Sequence, residues 1–362
     1  MKTVLELNKS ILEITNKIRE KHPELINRMN EKAVTIPYDE SPEINAEILN
    51  AYYNSLVSLV DEYENNPSKR EVFDKAKNLP LTEITPMELN NSFPDLMTEV
   101  NNTVISYNDI GEGSIPMLFI HGFPFDKSMW KVQLDALKLS NRVIAYDIRG
   151  FGKSKDETTP LSIDLFTEDL IAFMDNLKIE KAIICGLSMG GYIALNTIKK
   201  YQERLEALIL CDTQCIADSP EAKEKRYATI EKIESEGKEN FNENFIKNVF
   251  HPDSLVNKKE IVENLKNVVS ANSKEIIVAG LTALAERSDS CSILKDIKIP
   301  TLIICGKDDI TTPLAQSELM YKQIKGSSLK IIDNAAHVSN LEQPDEFNKH
   351  LQDFLDNLKF NS

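Results

Sequence analysis

Glycine is missing from the first 110 residues; the earliest of the 12 glycines in this 362-residue chain is Gly111. With little but proline to interrupt it, such a stretch favours helix over turn-rich β structure. It also holds no cysteine and a single histidine, His22, so it offers no visible catalytic or metal-binding constellation. Basic residues are scarce as well: 42 Lys plus Arg face 57 Asp plus Glu, a net charge of −15. A surface of that sign repels phosphate backbones and anionic lipid, which argues against nucleic acid or a membrane as partner. No run approaches the roughly 20 apolar residues needed to cross a bilayer. The charged, amphipathic N-terminus lacks the apolar core of a secretion signal. No G-x-G-x-x-G follows a strand, and no organic cofactor or metal is expected.

Cysteine is sparse and scattered. The five, Cys185, Cys211, Cys215, Cys291 and Cys305, match neither zinc spacing nor a C-x-x-C redox pair. Three of them, Cys185, Cys211 and Cys305, end apolar runs and read as small hydrophobes buried in strands. An odd number of dispersed thiols suits a reducing compartment, so a cytoplasmic location is expected.

What is present changes character near residue 95. Before it, Ile44, Ile48, Tyr52, Leu56 and Leu59 recur at three- and four-residue steps and form one apolar stripe. Residues 1–95 therefore read as a helical N-terminal domain, and residues 96–362 as a second domain of different construction. In the latter, Asn101-Asn102 separates two hairpin strands, Leu96 to Val100 and Thr103 to Asn108. Short apolar runs follow at 116–120, 142–146, 182–185, 207–211, 301–305 and 329–332, with helical patterns at 161–177, 188–201 and 344–358. Nearly uninterrupted apolar strands alternating with helices predict an α/β fold with a mostly parallel sheet covered on both faces. The charged helical stretch from 216 to about 291 is too long for a simple crossover and reads as an inserted lid.

Chemistry is concentrated at the ends of the predicted strands. Ala182-Ile-Ile-Cys-Gly-Leu-Ser-Met-Gly-Gly-Tyr192 is an apolar strand, a G-x-S-x-G turn and the start of a helix. This is the setting in which a serine sits on a tight turn with its hydroxyl exposed. Ser188 is the candidate nucleophile, and the amide of Met189 faces a developing oxyanion. Pro116-Met-Leu-Phe-Ile-His-Gly-Phe-Pro124 is a second strand running into a glycine turn. There the Phe123 amide is the second candidate oxyanion donor, and His121 reads as a loop-stabilising residue. On the next helix Asp126, Trp130 and Gln133 are placed to line a pocket or to pack. Further on, Lys307-Asp-Asp309 follows a strand, so Asp308 or Asp309 is available to orient a histidine. His337, on the loop before the last helix, is that histidine. The trio answers a chemical need: a serine hydroxyl is a poor nucleophile until a base takes its proton, and a carboxylate fixes the base's tautomer and steadies its charge.

From about residue 97 to 360 the chain resembles the α/β-hydrolase superfamily. The matching motifs are His121-Gly-Phe-Pro124, Asp147-Ile-Arg-Gly-Phe-Gly-Lys-Ser154, Gly186-Leu-Ser-Met-Gly190, and Gly306 to Pro313 with His337. The resemblance implies an eight-stranded sheet with helices on both faces, the order Ser, Asp, His, and Asp309 as the acid. Gly-Leu-Ser-Met-Gly-Gly, Ser339-Asn-Leu-Glu-Gln-Pro344 and Ala285-Glu-Arg-Ser-Asp-Ser290 are most similar to 3-oxoadipate enol-lactonases and related carboxylesterases. Epoxide hydrolases and haloalkane dehalogenases place Asp where this chain has Ser188. The expected function is hydrolysis of a small-molecule ester or lactone through an acyl-enzyme. A C–C bond hydrolase, a perhydrolase, or a ligand receptor that kept the pocket are the alternatives. Nothing in the residues fixes an oligomeric state.

Overall fold

The computed structural model describes residues 93–154 and 160–359, with a few isolated positions before them. The chain divides into two units, Met1–Ser92 and Phe93–Ser362. The apolar stripe from Ile44 to Leu59 lies outside the described residues, apart from isolated positions near it. The second unit contains one eight-stranded sheet in the order β1-β2-β4-β3-β5-β6-β7-β8. Its strands are β1 (Leu96–Val100), β2 (Thr103–Ile110), β3 (Met117–Ile120), β4 (Val143–Tyr146), β5 (Ala182–Leu187), β6 (Leu205–Cys211), β7 (Thr301–Gly306) and β8 (Ser328–Ile332). The predicted strands are all present, with ends displaced by only a few residues.

The hairpin between β1 and β2 turns on Asn101 and Asn102, whose φ values of 46° and 60° are the left-handed pair that asparagine tolerates. Val100 pairs with Thr103 across it. β2 also runs antiparallel to β4, and every later pairing is parallel. The inner parallel strands β3 to β7 are buried on both faces, and their alternation sorts side chains into two cores. In β3, Leu118 and Ile120 join one core while Met117 and Phe119 join the other. β4 divides the same way, Ile144 and Tyr146 against Val143 and Ala145.

The first core is covered by α2 (Ile163–Asn176) and α3 (Met189–Tyr201), through Phe166, Leu170, Phe173, Ile193 and Ala194. Before these, α1 (Lys131–Leu137) covers the second core with Leu134 and Leu137. Between β6 and β7 come five cap helices: α4 (Pro220–Glu236), α5 (Glu239–Val249), α6 (Pro252–Asn257), α7 (Lys259–Ala271) and α8 (Lys274–Ala285). They occupy most of the stretch from 216 to about 291 that reads as a lid in the sequence. The chain then finishes with α9 (Leu314–Gln323), β8, the short α10 (Ser339–Glu342) and α11 (Pro344–Lys359). Phe347, Leu351 and Leu355 of α11 complete the second core. Among the described residues, no single helix is long and apolar enough to cross a membrane.

The cysteines behave partly as expected. Cys185, Cys211 and Cys305 are free and buried in strands. Cys215 and Cys291 depart from the expectation of free, dispersed thiols: they form a disulfide across 76 residues of sequence, at the two ends of the cap. Spacing along the chain hides this pair, because the insertion brings its own ends together. The pairing also removes the thiol argument for a reducing compartment. The same neck is joined by the Ser290 amide donating to the Cys215 carbonyl and by Arg287, which donates to the Asp218 carboxylate and the Ile216 carbonyl. The Arg287 guanidinium also stacks over the Tyr192 ring, 4.5 Å from its centroid. Closing a loop of this length in the unfolded chain is expected to contribute about 2–4 kcal/mol. Dithiothreitol should therefore lower the denaturation midpoint of the wild type. It should leave a Cys215→Ser, Cys291→Ser double variant unchanged, and equal sensitivity of both proteins would refute the assignment.

Candidate active site

β5 ends at Leu187, and the backbone reverses at Ser188 into α3. Two glycines make the reversal sterically possible. A Cβ on Gly186 would lie 2.3 Å from the Gly190 carbonyl oxygen, and one on Gly190 would lie 2.3 Å from that of Ile120. Ser188 itself has φ 53° and ψ −113°, a conformation that L-residues avoid outside strained functional turns. Its amide donates to the Cys211 carbonyl, and its carbonyl accepts from the Thr213 hydroxyl at 2.8 Å. The strain is thus held from the neighbouring strand β6.

Ser188 Oγ lies 2.9 Å from His337 Nε2, and His337 Nδ1 lies 2.8 Å from Asp309 Oδ2. These three come from the ends of β5, β7 and β8, and the parallel sheet delivers all three ends to one edge. Asp309 also accepts from the amides of Thr311 and Thr312 and from the Thr312 hydroxyl. Burial alone would push the Asp309 carboxyl up, but the His337 ring and these donors outweigh it and hold it below the usual value. For His337 burial opposes charge, while Asp309, Asp212 and Glu342 favour it, and the result lies above the ordinary 6.5. Asp308, the alternative acid, is half-exposed and faces His251 at 3.7 Å instead.

The turn after β3 lies against this elbow, since Gly190 packs on the carbonyls of Ile120 and His121. Phe123 and Met189, the two expected amide donors, follow β3 and open α3 respectively. The Phe123 ring meets the cap: it lies 6.4 Å from Phe241 and 6.3 Å from Phe245 of α5, and Gly280 of α8 packs directly on it. An aromatic cluster therefore joins the turn after β3 to the cap helices. His121 is a strut, donating from Nδ1 to the Gly122 carbonyl and accepting the Ile148 amide at Nε2. Burial pushes its basicity down, so it stays neutral.

Trp130 and Gln133 do not line a pocket. Trp130 is fully buried between Phe119 and Phe347 in the second core. Gln133, also fully buried, donates to the Asn340 carbonyl and the Asn348 side chain and accepts from the Asn340 amide group. Both are needed for packing and for anchoring the segment after His337. Their helical spacing from the glycine turn could not separate an inward face from a pocket face.

Two residues at the site were not evident beforehand. Asp212, immediately after β6, is fully buried and accepts from the Gly306 amide and the Ser339 hydroxyl. Glu342 is fully buried too and accepts from the amides of Ala336 and His251. The available signal was an acid directly after an unbroken apolar strand, which a turn former mimics. Among the described residues no cluster of His, Cys, Asp and Glu is arranged to hold a metal ion.

Comparisons with known proteins identify the family. A family model described as "alpha/beta hydrolase fold" matches residues 115–344. The chain belongs to the α/β-hydrolase family. It is similar to 3-oxoadipate enol-lactonase 2 of Acinetobacter baylyi, 30% identical over 257 residues, covering 71% of this chain and 94% of that protein. Among solved structures it is similar to a thermophilic esterase from Thermogutta terrifontis, with TM-score 0.70, 32% identity, and 73% and 99% of the two chains covered. The enol-lactonase from Burkholderia xenovorans LB400 gives TM-score 0.68 and 30% identity, with 72% and 99% covered. In each case the matched share of this α/β hydrolase leaves about a quarter of its chain without a counterpart.

Proposed function

We propose that this α/β hydrolase cleaves a small ester or lactone by two-step acyl transfer. Ser188 attacks the carbonyl, and His337 takes its proton and returns it to the leaving oxygen. Asp309 holds the imidazole, while the amides of Phe123 and Met189 receive the oxyanion. Water then repeats the cycle on the acyl-enzyme. The observation that carries the reading is the unbroken relay from Ser188 Oγ to His337 to Asp309, at 2.9 and 2.8 Å. The lactonase and esterase activities of the similar proteins support the ester and lactone class. The phenylalanines around Phe123 favour an uncharged, apolar group on one side of the scissile bond.

The test is hydrolysis of p-nitrophenyl acetate, with a fluorophosphonate probe used to locate the reactive serine by mass spectrometry. A single adduct on Ser188 is expected, and an adduct elsewhere, or none, would overturn the assignment. The pH profile carries a signed expectation. As pH falls through the raised pKa of His337 the ring takes a proton and can no longer accept one from Ser188. The acid limb of kcat/KM should therefore have its midpoint above 6.5, the ordinary histidine value.

A further inference from the structure

His337 is carried by a loop that two buried carboxylates grip on either side. Before it, the Ala336 amide donates to Glu342 Oε2 at 2.7 Å. After it, the Ser339 hydroxyl donates to Asp212 Oδ2 at 2.6 Å, with the Ser339 amide at 3.3 Å from the same oxygen. Each carboxylate spends its other oxygen on a different part of the molecule. Asp212 Oδ1 accepts from the Gly306 amide, where β7 ends just ahead of Asp309. Glu342 Oε1 accepts from the His251 amide at the start of cap helix α6. One acid therefore ties the histidine loop to the strand that presents Asp309, and the other ties it to the cap. The His337 amide adds a third tether by donating to the Val249 carbonyl at the end of α5.

These contacts hold more acid around the base than a serine relay requires. One carboxylate suffices to fix the tautomer. A buried carboxylate is costly unless fully hydrogen-bonded. Each carboxylate accepts at both oxygens, which asparagine or glutamine with a single accepting oxygen could not reproduce, but backbone carbonyls could hold the same donors without a charge. We propose that Asp212 and Glu342 are positioning residues for the base: they lock the His337 loop in register with Asp309 and the cap, and their negative charge stabilises the imidazolium that forms in each step. The proposal rests on His337 being the general base.

The electrostatics agree in sign. Asp212, Glu342 and Asp309 all favour the protonated ring of His337. Burial pushes the Asp212 carboxyl up to about 7, with the Asp309 charge adding to the rise, against His337 and the Ser339 and Gly306 donors, so its charge favours the imidazolium only above about that pH. Burial raises Glu342 likewise, against donors from Ala336, Ser254 and His251. Other titratable groups packed around these are Cys211 beside Asp212, Cys305 on β7, and His251 with Asp308 at the cap side. Lys258 of the cap reaches the Glu342 carbonyl rather than its carboxylate.

The experiment titrates the His337 ring by NMR in the Ser188→Ala background, alongside pH profiles of p-nitrophenyl acetate hydrolysis with Ser188 present. Asp212→Asn and Glu342→Gln keep the shape but remove the charge and one of the two accepting oxygens. Each is expected to lower the His337 pKa by about half a pH unit or more. The acid limb of kcat/KM should move the same way, with kcat reduced about 5- to 30-fold. A lower melting temperature with an unmoved His337 pKa in both charge variants would reduce the acids to structural braces and overturn the proposal. If Asp212→Asn does not fold, Glu342→Gln decides it on the same readout. Failure of the proposed reaction is separately visible, since the ring titration needs no turnover.

Discussion

Replacing Ser188 by alanine is expected to lower ester turnover by at least about 10³-fold while leaving the melting temperature within about 2 °C. The asymmetry follows from where the hydroxyl sits. In the proposed reaction it is the one group of the relay aimed at substrate, and without it His337 has no nucleophile to activate. Its removal creates almost no cavity, because Ser188 lies at the mouth of the site with 8% of its surface exposed. The strained backbone at φ 53° is kept by alanine, so neither the elbow nor its contacts with Cys211 and Thr213 should change. Parallel measurement of kcat/KM and thermal unfolding checks both halves. Unaltered turnover would remove Ser188 from the chemistry, whereas lost turnover with a large fall in stability would leave its role unproven.

Gly190→Ala should have the opposite signature, a loss of about 3 kcal/mol or more of folding stability, with activity falling as the folded population does. The added methyl would meet the Ile120 oxygen at 2.3 Å, the Ile120 carbonyl carbon at 2.8 Å and the His121 oxygen at 2.9 Å. All three atoms are backbone at the end of β3, so no side chain can swing aside. Relief requires α3 to lift away from β3, which parts the elbow from the turn that bears Phe123. Gly326→Ala is the control. Gly326 has φ +81° but nothing within 4 Å of an added Cβ. Its cost should be that of a left-handed alanine alone, about 1–2 kcal/mol. Denaturant unfolding of the two variants separates collision from conformation, and equal costs would refute the close-approach argument.

The elbow could be anticipated because its chemistry and its geometry are written in adjacent residues. An apolar strand, two glycines around a serine and a helical run leave few ways to fold. The sheet was similarly legible, since strands buried on both faces cannot disguise their composition. Asp309 was distinguishable from Asp308 only through the family pattern, and its environment gives the reason: its neighbours Thr311 and Thr312 turn their amides onto it, while Asp308 faces outward. What stayed hidden depends on distant pairing. Asp212 meets Ser339 across 127 residues, and the hydrogen bond is invisible until the sheet is assembled. Trp130 and Gln133 misled for the same reason, because which side of residues 127–137 faces α11 is a tertiary fact. The pairing of Cys215 with Cys291 was hidden by their sequence separation of 76.

That disulfide also bears on how the protein can change. It closes the cap into a covalent side loop whose ends are fixed before the helices between them contribute anything. Substitutions, insertions or exchange of helices α4 to α8 are thereby decoupled from the spacing of β6 and β7, the strands that present Asp212 and Asp309. A lineage with such a neck can explore new specificities in the cap while the machinery beneath stays in register.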